Sequence, residues 1–456
     1  MEAIATSLES LSSHPELVVD SSEEALKASR ADKSGHVSPS NPLAVVFALG
    51  VEGVQEVMRF ATTRGVPVVT RGGGSGLAGG AIGQSGEIVL SLERMNHILE
   101  ISVEDRLARV QAGVINSDLL AAAGEHGLWF APDPASRQWS TVGGNIATNA
   151  GGLLCAKYGV TRESVLELTV VLADGRLIRT GHRSVKGVTG FDLTGLFIGS
   201  EGLLGVIVEA TVKLLPISAH PVSTLSARFD DIGHATRACQ AITGGGHTPA
   251  IMELIDSISL RHIHEYLDLG PPEEGEVLLI AQADASDASE QIALFASLWE
   301  QAGGVVETSG PGPKAEALLH LRRSMHPAME KLGQVLIEDV SVPRSQLGAM
   351  FQEIRAIEIQ HGVEIPTVAH AADGNLHPNF IVQGDVVPEH IWDAADDLFR
   401  RAIALGGTLT GEHGVGLLKR RWLVDELGDD QWQLQRDIKS LFDPEGLLNP
   451  GKVFTH

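Results

Sequence analysis

Arg71-Gly72-Gly73-Gly74-Ser75-Gly76 is the stretch on which the reading of the chain turns. It follows Val66-Pro67-Val68-Val69, a short apolar run that reads as a strand. Upstream, residues 51–64 place Val54, Val57, Met58 and Ala61 at helical spacing on one face. Pro42 to Phe47 is a further apolar strand. The order is therefore strand, helix, strand, glycine turn, which is a dinucleotide-binding layout. It is not the Rossmann one, because the glycines follow the second strand and open no GxGxxG helix after the first. Consecutive small residues let several backbone N–H groups point one way, an arrangement that suits a pyrophosphate. Taken alone, the same six residues also read as a plain tight turn.

Working outward, residues 1–45 read as a polar lead-in with helical patches. Ile88–Leu92 and Leu107–Gln111 read as strands, and Asn116–His126 as a helix. A long Gly/Asn/Thr segment occupies 140–152. Val165–Leu172 is an apolar strand ending in the hairpin signal Ala173-Asp174-Gly175-Arg176. Ile207–Leu215 is a strand stopped by Pro216, and a domain boundary is expected near 217. Beyond it, helices (about 234–243, 287–302, 314–332 and 344–361) alternate with strands (about 277–283, 335–342, 363–370 and 378–383). That pattern predicts an α+β domain with an antiparallel sheet. Residues 390–456 read as helical and end in Phe442-Asp443-Pro444-Glu445-Gly446-Leu447-Leu448-Asn449-Pro450-Gly451-Lys452.

Composition bounds the function. With 456 residues the chain is long for one hydrophobic core. Its 34 basic and 58 acidic residues leave a net charge of −24, which argues against nucleic-acid binding. Two cysteines, Cys155 and Cys239, give no disulfide framework, Cys–Cys zinc site or iron–sulfur cluster, and suit a reducing compartment. The longest uncharged stretch lies between Arg137 and Lys157 and is rich in Gly, Asn and Thr, so no integral membrane segment is expected. The N-terminus carries an early acid and no signal pattern. The expected location is the cytoplasm.

Two further segments look made to wrap a ligand. Pro132-Asp133-Pro134 leads to Ser140-Thr141-Val142-Gly143-Gly144-Asn145-Ile146-Ala147-Thr148-Asn149-Ala150-Gly151-Gly152. Val142, Ile146 and Ala147 are spaced to anchor that run, and its backbone polar groups then need partners. Gly199-Ser200-Glu201-Gly202-Leu203-Leu204-Gly205-Val206-Ile207 brings another strand close to something flat.

Together the three segments resemble the FAD-binding domain of the vanillyl-alcohol oxidase / para-cresol methylhydroxylase (PCMH/VAO) flavoproteins, and the resemblance runs from about residue 38 to the C-terminus. It implies a PCMH/VAO-type FAD-binding domain at 1–217. A substrate (cap) domain of the FAD-linked oxidase C-terminal kind follows at 218–456, with about 400–456 packing back towards the flavin. Some members attach FAD to a His near the first loop; residues 70–82 contain none, so non-covalent FAD is implied. By the same carry-over Arg71, Gly72, Gly73, Gly74, Ser75 and Gly76 cradle the pyrophosphate. Pro132, Asp133, Thr141, Gly143, Gly144, Asn145, Thr148 and Asn149 line the flavin and its linker. Glu201, Gly202, Ile207 and Val208 touch the adenosine half, and Asn449 also binds the cofactor.

The sharpest chemistry lies in Ala369-His370-Ala371-Ala372-Asp373-Gly374-Asn375-Leu376-His377. Asp373-Gly374 signals a hairpin, so His370 and His377 flank the turn and could face each other at metal-ligand separation. Such a pair is also commonly just surface. A second cluster, Gly411-Glu412-His413-Gly414-Val415-Gly416, offers a carboxylate to complete a site and a His to act as base.

These motifs resemble those of the D-2-hydroxyacid dehydrogenase subgroup, which includes D-lactate dehydrogenases, the glycolate oxidase flavoprotein subunit and D-2-hydroxyglutarate dehydrogenases. The resemblance implies that His370, His377 and Glu412 bind a divalent metal (Zn, Mn or Fe) and that His413 takes the hydroxyl proton. One departure is Ala372, where the subgroup usually has Gly. A substrate carboxylate wants an arginine fork. Arg322 and Arg323 are adjacent on one helix, so one of them points inward, and alignment to the subgroup favours Arg322. Members that use dicarboxylates carry a lysine near Ile337, so the expected substrate is a monocarboxylate such as D-lactate or glycolate. The electron acceptor, a partner redox subunit among the options, is left open. Rival readings are an alcohol oxidase of the same superfamily, a lipid-type synthase of it, and a flavin subunit that only passes electrons.

Overall fold

The computed structural model describes Leu8, residues 10–384 and residues 386–454. The chain divides into two compact units: Met1–Gly152, Gly159–Ile217 and Glu412–His456 form the first, Leu153–Tyr158 and Ser218–Gly411 the second.

The first unit opens with β1 (Leu17–Asp20), β2 (Ala44–Ala48), β3 (Val68–Arg71) and β4 (Ile88–Ser91), in the spatial order β1-β2-β4-β3. Both β2 and β3 run parallel to β4. The helix Val51–Arg64 joins β2 to β3 and buries Val54, Val57, Met58, Phe60 and Ala61. It stops at Gly65, whose φ of 64° lets the chain turn back. A parallel pair needs a crossover, and here the crossover helix delivers the end of β3 directly into the glycine loop.

Next come β5 (Ile98–Ser102), β6 (Leu107–Gln111), the short β7 (Leu128–Trp129), β8 (Val165–Val171), β9 (Leu177–Gly181), β10 (Val206–Lys213) and the short β11 (Leu215–Pro216). Five of them form an antiparallel sheet in the order β5-β6-β10-β8-β9, while β7 pairs with β11. Along β10, Val206 and Val208 enter one apolar core and Ile207 another; a register shift between Ile207 and Glu209 in the pairing with β8 then switches the face, so that Ala210 and Val212 join the core of Ile207.

The second unit carries β12 (Ser223–Phe229), β13 (Ile251–Ile255), β14 (Val277–Ala283), β15 (Val305–Ser309), β16 (Gln334–Ile337), β17 (Val340–Ser341), β18 (Thr367–His370) and β19 (Asn375–Val382). They form one eight-stranded sheet in the order β15-β12-β14-β13-β18-β19-β16, with β17 also on β19. Every pairing in it is antiparallel. The molecule is thus α+β, with an antiparallel sheet in its second unit. Among the described residues no helix is long and apolar enough to cross a membrane.

Several local expectations change. The 314–332 helix is two, Pro313–Arg323 and Met325–Glu330; Pro327 has no N–H to continue the first ladder. The 335–342 strand is broken between β16 and β17 by Glu338-Asp339. Residues 142–148 are a helix capped by Thr141, although two glycines stand at 143 and 144. The 390–456 region is not helical throughout: it carries the helices Glu389–Ala404 and Leu423–Phe442, the latter kinked at Gly428, and a short 3-10 turn at Arg420–Trp422. Strand β1 stands within the lead-in expected to be polar with helical patches, and β5, β7, β12, β13 and β15 carry no local pattern that marks them as strands.

Candidate functional site

Three of the expected ligand-wrapping segments lie together in the first unit. The glycine loop is packed too closely for side chains. A Cβ on Gly72 would sit 2.3 Å from Thr141 Oγ1, one on Gly73 would sit 2.1 Å from the Trp139 carbonyl oxygen, and one on Gly74 would sit 2.3 Å from Arg71 Nη2. Gly74 also has φ +64°. Arg71 folds back over its own loop and donates from Nη1 to the Ala81 carbonyl at 2.9 Å. Burial pulls its guanidinium below the ordinary arginine value. Gly76 is tied through its carbonyl, which accepts from Lys33 N at 3.0 Å. Ser75 is half-buried beside it.

The second segment is held by the chain that follows the end of β6. Gly143 N donates to the Ala112 carbonyl and Val142 N to the Val114 carbonyl, both at 2.8 Å. Thr141 caps the helix by accepting from Gly144 N at 3.1 Å, and Thr148 Oγ1 donates to the Gly144 carbonyl at 3.2 Å. Pro132 accepts from Asn116 Nδ2 at 3.1 Å. Gly152 packs on Asp133, where a Cβ would lie 2.5 Å from Oδ1.

The third segment docks on the second: Glu201 N donates to the Ala147 carbonyl at 2.8 Å. The Glu201 carboxylate, expected near the adenosine half, accepts from Val415 N at 2.8 Å and Gly416 N at 2.9 Å. Burial pushes its pKa up, and those two bonds oppose the shift. Ile207 and Val208 put their side chains into apolar cores, which leaves only backbone for a ligand. Asn449 accepts from Thr70 N at 3.1 Å and donates to the Glu201 carbonyl.

Two observations fit a bound polar cofactor here. Thr70 Oγ1, Ser140 Oγ, Asn145 Nδ2 and Ser200 Oγ are buried side-chain atoms without a hydrogen-bond partner, all on or beside these segments. Buried polar atoms are rarely left so, and a dinucleotide has the donors and acceptors to satisfy them. In addition, Asn149, Glu201 and Asn449 are held at φ 52°, 49° and 45°. Non-glycine residues in that region cost about 1–3 kcal/mol each and gather at functional sites. Thr70, Ser140 and Ser200 stand beside the residues that the resemblance assigns to the cofactor and carry no local signal of their own.

In the second unit the His pair is real but diagonal rather than directly opposed. His370 pairs with Asn375 and Val368 with His377 across the β18–β19 hairpin, so the two imidazoles sit on one face, two positions apart. Their ring centroids are 5.0 Å apart at 83°. Both are buried. On the neighbouring strand Glu253 is the register partner of His370. Its Oε1 lies 2.7 Å from His370 Nδ1, and its Oε2 accepts from Arg322 Nε at 2.7 Å. Arg322 is buried and Arg323 exposed. Beside His377, Asp339 Oδ1 is 3.8 Å from Nδ1. Asp339 also accepts from Asn375 Nδ2 at 2.8 Å and Thr410 Oγ1 at 2.6 Å. The structure thus brings Arg322, His370 and His377 together around Glu253 and Asp339. Neither carboxylate is among the residues that the sequence motifs assign to the site. The available signal was one acid inside the apolar run Ile251-Met252-Glu253-Leu254-Ile255.

In the first unit Glu412 Oε1 and His413 Nε2 are 3.8 Å apart. A Cβ on Gly151 would stand 2.3 Å from Glu412 Oε2, so that glycine makes room for the carboxylate.

Known proteins resemble this chain along nearly its full length. It is 38% identical to the glycolate oxidase subunit GlcD of Bacillus subtilis over 421 residues, 91% of this chain and 89% of that protein. It is 35% identical to a D-lactate dehydrogenase of Archaeoglobus fulgidus over 413 residues, 90% of each. Its fold matches that of 4-ethylphenol oxidase from Gulosibacter chungangensis with a TM-score of 0.75 at 19% identity, over 99% of this chain and 97% of that one. It matches p-cresol methylhydroxylase with a TM-score of 0.75 at 17% identity, over 100% of this chain and 97% of that one. The FAD binding domain family matches residues 42–181, and the family of FAD linked oxidases, C-terminal domain, matches residues 219–453. With both halves accounted for, this chain belongs to the FAD-linked oxidases of the PCMH/VAO fold and is an FAD-dependent oxidoreductase.

Proposed function

We propose that this enzyme oxidises a small D-2-hydroxy acid, D-lactate or glycolate in kind, to the 2-oxo acid, with FAD held non-covalently. The observation that carries this reading is the buried set of Arg322 and His370, joined through Glu253, with His377 packed edge-on against His370. A guanidinium for a carboxylate beside two imidazoles for a metal is what a 2-hydroxy acid asks for. Relatives named glycolate oxidase subunit and D-lactate dehydrogenase support the substrate class.

In this reading His370, His377 and Glu412 hold a divalent cation (Zn, Mn or Fe). When bound, that cation stabilises negative charge on the substrate hydroxyl, and FAD supplies the hydride acceptor. Glu253 takes the Nε–H of Arg322, so the two terminal NH₂ groups are the ones for the substrate carboxylate. His413 receives the hydroxyl proton, a role suited to an imidazole at neutral pH. Ile337, apolar and half-buried, offers no charge to a second carboxylate and favours a monocarboxylate.

Anaerobic addition of D-lactate or glycolate to the flavin-loaded protein tests this. Bleaching of the flavin band, lost after chelation, is the expected result. A band unmoved by any 2-hydroxy acid overturns the substrate class. Turnover of D-2-hydroxyglutarate about ten times more efficient than of D-lactate overturns the monocarboxylate assignment. His413→Ala is expected to keep FAD and lose oxidation.

The relatives named as glycolate oxidase subunits favour a second point, that electrons leave through a partner redox subunit. Turnover of the isolated chain with an artificial acceptor, but not with oxygen, is the outcome expected of such a subunit.

A further inference from the structure

Glu253 is fully buried, and each of its two carboxylate oxygens is committed to a different group of the proposed site. Oε1 meets His370 Nδ1 at 2.7 Å and Oε2 meets Arg322 Nε at 2.7 Å. Sheet register brings this about. Glu253 on β13 is paired with His370 on β18, so their side chains emerge next to each other on one face. Arg322 reaches the same carboxylate from the helix Pro313–Arg323.

We propose that Glu253 is a positioning residue that sets the metal-binding form of His370 and the aim of Arg322 together. The inference rests on the hydroxy-acid reading above and extends it to a residue that touches neither metal nor substrate. The chemistry is directional. Arginine Nε–H only donates, so Oε2 is held as an acceptor. Oε1 then accepts from His370 Nδ1–H, which fixes the tautomer whose ligand atom is Nε2. A metal-bound imidazole is commonly oriented by a carboxylate in this way. The same anion offsets the charge of an arginine in a buried place, where an unpaired charge is costly. One carboxylate therefore serves both halves of substrate recognition. Loss of it is expected to weaken metal binding and substrate affinity at once, with little effect on the flavin site in the other unit.

The test uses Glu253→Gln, which keeps the shape but can accept only one of the two bonds, and Glu253→Asp, which keeps the charge one methylene shorter. Each full-length protein is loaded with FAD, stripped by chelation and titrated with Zn²⁺ alone. Kinetics on D-lactate follow after Zn²⁺ is restored. Glu253→Gln is expected to raise the Zn²⁺ dissociation constant by about 10–100-fold, the range seen when such outer partners of a metal site are removed. KM for D-lactate should rise as well, beyond any change in kcat at saturating Zn²⁺. Glu253→Asp should recover part of both losses, and the flavin spectrum should match the parent in each variant. If Glu253→Gln does not fold, the double variant Glu253→Gln/Arg322→Gln removes the uncompensated charge, and its Zn²⁺ affinity should still be at least about tenfold weaker. Parent-like Zn²⁺ affinity and KM in Glu253→Gln, or parent-like Zn²⁺ affinity in the double variant where only that one folds, overturn the proposal while leaving the hydroxy-acid reading standing. A parent protein that binds no Zn²⁺, Mn²⁺ or Fe²⁺ overturns the metal reading itself and this inference with it.

Discussion

Asn449 accepts a hydrogen bond through Oδ1 from the backbone N–H of Thr70 at 3.1 Å, across 379 positions of sequence. Its Nδ2 donates to the Glu201 carbonyl, and its own N–H donates to the Val68 carbonyl at 2.9 Å. One buried amide therefore ties the strand that delivers the glycine loop to the turn at 199–202. Asn449→Ala leaves the Thr70 N–H without its acceptor. The expected loss is about 1–3 kcal/mol of stability, together with weaker FAD retention. Urea unfolding followed beside flavin release checks both, and parent-like curves in the two assays would falsify the role given to Asn449.

Gly73 is the tightest point of the loop. Its missing Cβ would lie 2.1 Å from a backbone oxygen, that of Trp139, which has no rotamer by which to retreat. Gly73→Ala is expected to raise the FAD dissociation constant at least about tenfold, as read by titrating the flavin-free protein with FAD, since a 1.4 kcal/mol shift of the loop already costs that much. Gly124→Ala is the control. Gly124 ends a helix with open space around it and no positive φ, so alanine there should be neutral or stabilising by about 0.5–1 kcal/mol.

Asp256 gives the second unit a pH dependence. Burial pushes its carboxyl up to about 7, against the opposing bonds from Ser259 and Thr367. The unfolded value is about 3.9. A raised acid pKa means that the folded state holds the proton more tightly than the unfolded chain. Its contribution is therefore most favourable below about pH 4, declines as pH rises through the window to about 7, and is flat above it. Asp256→Asn stays neutral throughout. Its stability deficit relative to the parent should shrink between pH 4 and pH 7, as read by denaturant midpoints. A deficit that grows with pH contradicts the assignment.

Asp284 anchors a piece of chain displaced from its sequence neighbours. It pairs with Lys157 Nζ and accepts from Tyr158 OH at 2.5 Å. Those residues sit in the Leu153–Tyr158 segment, which belongs to the second unit although the chain on both sides belongs to the first. Asp284→Ala is expected to speed amide hydrogen exchange across 153–158 by about tenfold or more, the equivalent of 1.4 kcal/mol of local stability. Unchanged exchange there would show that the segment is held by its apolar residues instead.

Local pattern settled a good part of this protein. Apolar spacing places the helix Val51–Arg64 at its observed bounds, because its buried stripe is written in nearby residues. Leu107–Gln111 and Val277–Ala283 likewise appear where their apolar runs stand. The three glycine-bearing segments announce close backbone approach, and Asp373-Gly374 announces the hairpin that His370 and His377 flank. The tertiary structure alone decided the rest. Strands such as Ser223–Phe229 exist because neighbours pair with them on both edges, a stabilisation absent from their own sequence. Residues 412–456 belong with the first unit, and 153–158 with the second. Glu201 is bound to two backbone amides more than 200 positions away, and Glu253 lies between a histidine and an arginine because register sets β13 beside β18. Periodicity reports which face of an element is buried, but only the pairing of distant strands determines which buried polar groups meet.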